Sequence, residues 1–256
     1  MPHISYSELK NWHHCPFYHK LVNIQKLKVF EGNEYTAFGT ALHSVCEDLL
    51  TDEVDIPKPE LFNQKFRDEI KKLKSEEINK KLIVDMFAQG GKLSEQVLPS
   101  LEKYFDDCEV FMAEEKLYEP ISGTDDYLFK GYVDLIVKEG DNYHIIDWKT
   151  CSWGWDSRKR SDKMILYQLI LYKHFFCQKY DISPDMVHTH FGLLKRTSKK
   201  NIVELFKVTS GPKRIENALE LLHKAIQTIK SGVHIKNKLS CTSGYGCDLY
   251  KTKHCN

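Results

Sequence analysis

The feature that most constrains this chain is the stretch 131–150, Gly-Tyr-Val-Asp-Leu-Ile-Val-Lys-Glu-Gly-Asp-Asn-Tyr-His-Ile-Ile-Asp-Trp-Lys-Thr. It reads as two apolar strands joined by a polar turn. Each strand carries one acid, Asp134 and Asp147, and the second carries Lys149 two residues further on. An isolated acid on an apolar strand is costly once buried. Residues two apart on a regular strand share a face. Facing positions of adjacent antiparallel strands bring their side chains within a few ångströms. Two carboxylates and an ammonium on one hairpin therefore imply a shared task. The simplest is to hold a divalent cation such as Mg²⁺ or Mn²⁺ beside a scissile phosphate, because hard cations take carboxylate and phosphate oxygens.

The 256 residues suit one large domain. Hydrophobic residues make up 41% and charged residues 29%, an ordinary globular composition that excludes a long disordered or fibrous chain. No apolar run approaches the ~20 residues of a membrane span. The N-terminus lacks the basic and apolar regions of a signal peptide. The expectation is an intracellular, cytoplasmic protein in a reducing compartment. A net charge of +1 excludes a global basic field, so contact with a polyanion must use local patches. Two runs qualify: Arg158-Lys159-Arg160 with Lys163, and Lys195-Arg196 with Lys199-Lys200. Either run alone is also what a solvated loop or helix face looks like. Trp153 and Trp155 flank the first run, where they can stack on bases or pack into the core.

Along the chain, Ser5-Tyr-Ser-Glu8 has the form of a capping box and opens a helix through about His14. A second helix is expected over 36–50 and a loop over 51–59. Apolar spacing predicts helices over 60–82 and 92–112, so that 51–112 forms a helical insert. Residues 113–150 then alternate and predict three strands, with turns at Asp125-Asp126 and Gly140-Asp141-Asn142. Helix 161–180, strands 186–194 and 201–208, and an amphipathic helix 212–230 complete the order. The terminal elements, 1–20 and 231–256, are expected to meet. The fold class this order predicts is α/β, a single core with a mainly antiparallel central sheet.

Gly131-x-x-Asp134, then Ile146-Asp147-Trp148-Lys149-Thr150, resembles the core of the PD-(D/E)XK nuclease superfamily. More narrowly it is similar to the RecB-like branch, including the iron–sulfur exonucleases of CRISPR adaptation and of the AddB type. The resemblance implies a restriction-endonuclease-like core with a mixed sheet flanked by helices. It implies that Asp134 and Asp147 bind metal and that Lys149 is catalytic. Gly39-Thr-Ala-Leu-His43 resembles the upstream helix of that branch, whose His helps bind metal. Tyr167-Gln168-Leu-Ile-Leu-Tyr172 matches its Gln-x-x-x-Tyr motif, which implies that Gln168 and Tyr172, on one helix face, contact the DNA backbone or orient the catalytic Lys; taken alone, Tyr172 reads equally as a core residue. Glu115 is a further candidate acid. The implied activity is a metal-dependent DNA nuclease, an exonuclease acting on single-stranded or duplex ends in recombination or repair, with recombination or replication proteins as partners. The alternative is a non-catalytic DNA-binding or scaffold protein that keeps the fold.

Eight cysteines are many for a reducing compartment. Cys46, Cys108 and Cys177 sit in apolar helical patterns and read as buried small hydrophobes; Cys151 follows the Asp-x-Lys strand and can simply pack there. Cys15, Cys241, Cys247 and Cys255 lie among turn-forming residues at the two chain ends, where a metal site is the stronger reading than disulfides. The iron–sulfur members of the branch place one Cys before a Pro near the N-terminus and three near the C-terminus. Cys15-Pro16 with the other three resembles that arrangement and implies a [4Fe–4S] cluster that ties the termini. The intervals here are five residues between Cys241 and Cys247 and seven between Cys247 and Cys255. These depart from the commoner Cys-x₂-Cys-x₅-Cys and leave open a cluster with altered loops, a Zn²⁺ site, or a degenerate site with no metal, and His254 is a candidate to replace a ligand.

Overall fold

The computed structural model describes residues 1–51, 55–74, 78–124, 126–244 and 246–255. In chain order it has β1 (His3–Ser5), α1 (Tyr6–His14), α2 (Pro16–His19) with a π-helical turn Lys20–Ile24, and α3 (Glu34–Thr51). Then come α4 (Lys58–Lys72), α5 (Lys80–Tyr104), β2 (Glu109–Pro120), β3 (Leu128–Glu139) and β4 (Asn142–Cys151). The chain continues with α6 (Ser157–Arg160), α7 (Lys163–Tyr180), β5 (Val187–Lys195), β6 (Val203–Val208) and α8 (Pro212–Lys230). The strands form one mixed open sheet in the order β1-β3-β4-β5-β6, with β2 also paired to β3. Asp125 of the expected turn and residues 52–54 of the expected loop lie outside the described residues.

The chain divides into two compact units. The first comprises 1–30, 118–131 and 211–256, and the second 31–117 and 132–210, so β2 and β3 each contribute to both. In the first unit, β1 pairs in parallel with Leu128–Lys130 of β3. Ser5 caps α1, its Oγ accepting the Glu8 N–H at 3.2 Å. Only half of the expected capping box forms, because the Glu8 carboxylate pairs with the buried His19 at 2.8 Å instead of returning to Ser5. Pro212 opens α8, where its missing N–H costs nothing. The amphipathic spacing of α8 buries Ala218, Leu222, Ala225 and Ile226, and the helix packs on α1. The chain ends do meet: Asn237 Nδ2 and Ser240 Oγ both donate to the His14 carbonyl, and Phe17 N–H donates to Ile235 O.

In the second unit, α3, α4 and α5 pack on each other and cover the sheet face that carries Leu135, Val137, Ile146, Trp148 and Leu194. Phe38 of α3 meets Phe62 and Phe66 of α4, with ring centroids 5.3 to 5.8 Å apart, and Phe66 meets Phe87 of α5 at 4.9 Å. Each such pair adds ~1 kcal/mol beyond the burial of its area. The helix boundaries differ from expectation here. α5 runs unbroken through Gly90-Gly91, whereas the sequence suggested a break, and it stops at Tyr104 rather than 112. A Cβ on Gly90 would lie 2.1 Å from the Phe62 ring, so that glycine marks close approach of α4 to α5 and not a helix end. Residues 109–112 go to β2 because they pair with the sheet. On the opposite face lies α7, with Phe176 against Tyr143 at 5.8 Å; Tyr143 alternates onto the same face as Asp147. No described helix is long and apolar enough to cross a membrane.

Three imidazoles share the α5-facing side of the sheet: His144 of β4 and His188 and His190 of β5. His144 Nδ1 and His190 Nε2 are 3.0 Å apart, and Tyr104 Oη is 3.3 Å from His190 Nδ1. Burial first, then neighbouring imidazole charge, lowers His144 to about 4 and His190 to about 3. Lys207 also opposes protonation, whereas Glu139 favours it at His144. Unfolded His takes a proton near 6.5, so between that value and about 4 the unfolded chain binds more protons. Both contributions to stability are present above pH 6.5; that of His144 is lost as pH falls toward about 4 and that of His190 as it falls toward about 3. The urea midpoint is expected to drop over that window, and His190→Gln is expected to flatten the drop; equal slopes for both proteins would refute the assignment.

Candidate active site

The hairpin β3–β4 is in register from Leu135↔Ile146 to Glu139↔Asn142. One step beyond, the ladder opens, and Asp134 Oδ2 takes the Trp148 N–H at 2.7 Å in place of a backbone carbonyl. Alternation puts Asp134 and Asp147 on one side of the opened strands. Asp147 is 1% exposed. Its Oδ2 forms an ion pair with the Lys149 ammonium but accepts no aligned hydrogen bond among the described residues. A buried carboxylate oxygen that meets one ammonium and accepts no aligned hydrogen bond keeps a lone pair that a divalent cation can take.

Helix α3 reaches the same place because Gly39 has no side chain: a Cβ there would come within 3.2 Å of Thr150 Oγ1 on β4. One turn later His43 brings Nδ1 to 3.5 Å from Asp134 Oδ2. Burial is the main cause that lowers the His43 pKa, followed by opposing contributions from Asp147, which raises it, and Lys149, which lowers it. The ring is thus held toward the neutral form that ligates metals. Burial, and next the Asp147 charge, raise Asp134 well above the usual carboxylate range, against Lys149 and the Trp148 N–H. A bound cation would reverse the sign of that local field. From α7, Gln168 Nε2 donates to Tyr172 Oη at 3.2 Å. Burial, then the charges of Asp147 and Asp134, push the Tyr172 phenol up, so it stays a proton donor beside the two acids.

On β2 the acid whose charge bears on Asp134 is Glu114 and not Glu115. Its own pKa is raised by burial and then by Glu47, one turn after His43 on α3. Glu114 has φ +50°, a left-handed conformation that departs from strand geometry, so simple alternation misplaces it. Glu115 is engaged elsewhere, with Lys179 and with Tyr180 Oη at 2.8 Å. Of the first basic run, Arg158, Lys159 and Lys163 are exposed. Arg160 is committed to structure: it pairs with Glu204 at 2.7 Å, donates to Trp155 O at 2.9 Å and lies 4.4 Å over the Phe206 ring.

In the first unit, Cys15, Cys241, Cys247 and Cys255 all line one cavity of about 310 Å³, along with Phe17 and Leu249. The Asn237 N–H points at Cys15 Sγ at 3.3 Å. Burial raises the Cys247 pKa, and the other three thiols add to the shift. His254 is exposed and does not line the cavity. Across the described residues, no group of three or more His, Cys, Asp or Glu is already arranged to hold a metal ion. Of the remaining cysteines, Cys46 and Cys177 are buried, while Cys108 and Cys151 are half-buried.

A solved structure from Eubacterium rectale, named provisionally as an exonuclease, superposes with a TM-score of 0.57 at 13% identity. The match covers 93% of this chain and 85% of that one, and at this identity it speaks for the fold alone. A second solved protein, SSO0001, reaches a TM-score of only 0.34 at 14% identity over 77% of this chain and 88% of its own. No curated protein matches the chain. The family comparison is more telling, because it spans both units: residues 3–250 match the model of the PD-(D/E)XK nuclease superfamily, and the chain belongs to that superfamily.

Proposed function

We propose that this nuclease is a Mg²⁺- or Mn²⁺-dependent deoxyribonuclease that hydrolyses phosphodiester bonds from DNA ends. The observation that carries the reading is the buried Asp147 carboxylate beside Asp134, its Oδ2 paired with Lys149 but accepting no aligned hydrogen bond among the described residues. His43, Asp134 and Asp147 would hold the cation, with Glu114 near enough to assist. A divalent ion in such a place lowers the pKa of a bound water and offsets charge gathering on the phosphate. Lys149, a cation on the same strand face, orients the attacking water and stabilises the pentavalent charge. Tyr172, kept protonated near Asp147 and Asp134, and Gln168, which donates to it, would orient Lys149 or hold the DNA backbone from α7. The test is hydrolysis of end-labelled single-stranded and duplex DNA with Mg²⁺ or Mn²⁺, alongside closed circular DNA of both kinds. Metal-dependent loss of linear DNA with circles intact is expected; cut circles would overturn the exonuclease mode, and inert linear DNA the deoxyribonuclease reading.

For the four thiols we propose a [4Fe–4S] cluster, with Zn²⁺ as the alternative. Support comes from the chemistry of the set: four cysteines on one cavity, an N–H aimed at one sulfur, and apolar walls. Such a group would fasten Cys15, beside α2, to the C-terminal segment. Protein purified without oxygen is expected to contain about four irons and to absorb in the visible. Cys15→Ser is expected to lose both and to melt at a lower temperature. Stoichiometric zinc without iron would establish the alternative, and neither metal would remove the site.

A further inference from the structure

A groove of about 1130 Å³ runs between α5 and the β5–β6 turn, away from the carboxylates. Its cations are Lys92 and Lys103 from α5, Lys195 from the end of β5, and Arg196 and Lys199 from the turn, against Glu95 and Glu204. Glu204 is already used by Lys195 at 3.1 Å and by Arg160. Arg196 donates to the neutral Gln89 at 2.7 Å, lies 5.3 Å over the Tyr35 ring and has no carboxylate partner among the described residues. Lys92, Lys103 and Lys199 are exposed and have no carboxylate partner among the described residues. The groove thus carries a surplus of free positive charge in a chain that is almost neutral as a whole.

Beside it stands Trp153, 74% exposed, whereas Trp155 two residues on is buried. The segment that carries Trp153 is fastened to the groove wall. Thr197 N–H and Oγ1 donate to Ser152 O at 2.9 and 2.7 Å, and Arg196 N–H donates to Cys151 O at 2.8 Å. On its other side, Gly154 abuts the Lys195 side chain. Trp153 follows Lys149 by four residues, about 13 Å of extended chain. An indole held open to solvent, on the segment that runs from Lys149 to the hydrogen bonds with the groove wall, is available as a stacking platform. Duplex bases are stacked on each other inside the helix, so an open aromatic face favours a single strand.

We propose that Trp153 and the α5/β5–β6 groove form a track for single-stranded nucleic acid that leads the strand past the Lys149 end of β4. The track rests on the nuclease reading for the identity of its polyanion. It binds without chemistry, so it is tested on the full chain in EDTA with fluorescent oligothymidylates and a blunt duplex, read by polarisation and Trp emission. Trp153→Ala is expected to weaken single strands by about five- to a hundredfold, with the duplex unchanged and Trp153→Phe restoring most of the affinity. A Lys92→Glu/Lys103→Glu/Lys199→Glu variant is expected to reduce the slope of log affinity against log salt by about 2. Thermal melts matching wild type establish that the variants fold. Single strands bound equally by wild type and both variants would overturn the track. Equal loss on the duplex would overturn its preference for single strands, and tight binding of an acidic peptide with none of DNA would reassign the groove to a protein. A wild type that binds in EDTA yet never cleaves keeps the track and sinks the nuclease reading; an active enzyme whose binding ignores both variants does the reverse.

Discussion

Lys149→Ala and Asp147→Asn are each expected to lower DNA hydrolysis by about 10²- to 10⁴-fold while the protein stays folded. Loss of one preorganised charge-stabilising group is worth about a hundred- to a thousandfold, and loss of a group that manages a proton can reach ten thousand. Stability is expected to move the other way at the acids. Asp134 and Asp147 repel one another in a buried site, and that repulsion helps to raise Asp134. Asparagine at 134 keeps an oxygen for the Trp148 N–H, now donated to Asp134 Oδ2 at 2.7 Å, and removes the charge. Asp134→Asn should therefore melt at or above the wild-type temperature and yet be inactive, as expected where function maintains an unfavourable arrangement. Rate measurements with Mg²⁺ and Mn²⁺, paired with thermal melts, check both halves. A variant that loses activity only in proportion to its folded fraction would mean that these residues hold up the hairpin and nothing more.

The hairpin was legible because its chemistry is local. Two acids on apolar strands, joined by Gly140-Asp141-Asn142, fix the register that faces them, and the observed pairs run to within one residue of that site. The role of Gly39 was legible only as a motif; its physical reason, passage of α3 over Thr150, needs two distant segments. Glu114 was not legible. Glu115 is the acid the sequence suggests, and regular alternation gives no reason to prefer its neighbour; the left-handed backbone at Glu114 is signalled by no propensity. The same limit applies to Gly90. A glycine pair inside a helical pattern looks like a stop until the partner ring is known, and Phe62 lies 28 residues earlier in the chain. Arg160 shows it for charge: within a basic run it reads as a contact to polyanion, yet Glu204 on β6 claims it. The strand Val187–Lys195 was placed to within a residue, but nothing local announced that its glycine makes room for a tryptophan.

That glycine carries the second large effect. Gly192 of β5 pairs with Trp148 of β4, and a Cβ on it would stand 2.2 Å from the indole Cε3. Trp148 is 1% exposed and packs among Leu135, Val137, Ile146 and Leu194, so it has no room to retreat. Gly192→Ala is expected to cost about 1–3 kcal/mol, the usual range for overpacking a close-packed core. In a domain of this size that is about 3–10 °C in melting temperature. The loss extends to catalysis, because Trp148 lies between Asp147 and Lys149 and its N–H holds Asp134. A backbone shift of about 1 Å in β4 would misplace all three groups, and displacement on that scale costs on the order of a hundredfold in rate. Trp148→Phe separates cause from correlation. Among the described residues the indole Nε1–H has no hydrogen-bond partner, so a smaller ring leaves no donor stranded and yields the space the new methyl needs. The double variant Gly192→Ala/Trp148→Phe should recover melting temperature relative to Gly192→Ala alone, a coupling that independent sites do not show. Additive losses in urea midpoints, or a Gly192→Ala protein as stable and active as wild type, would mean that the strand has slack at this point and that the carboxylates do not depend on it.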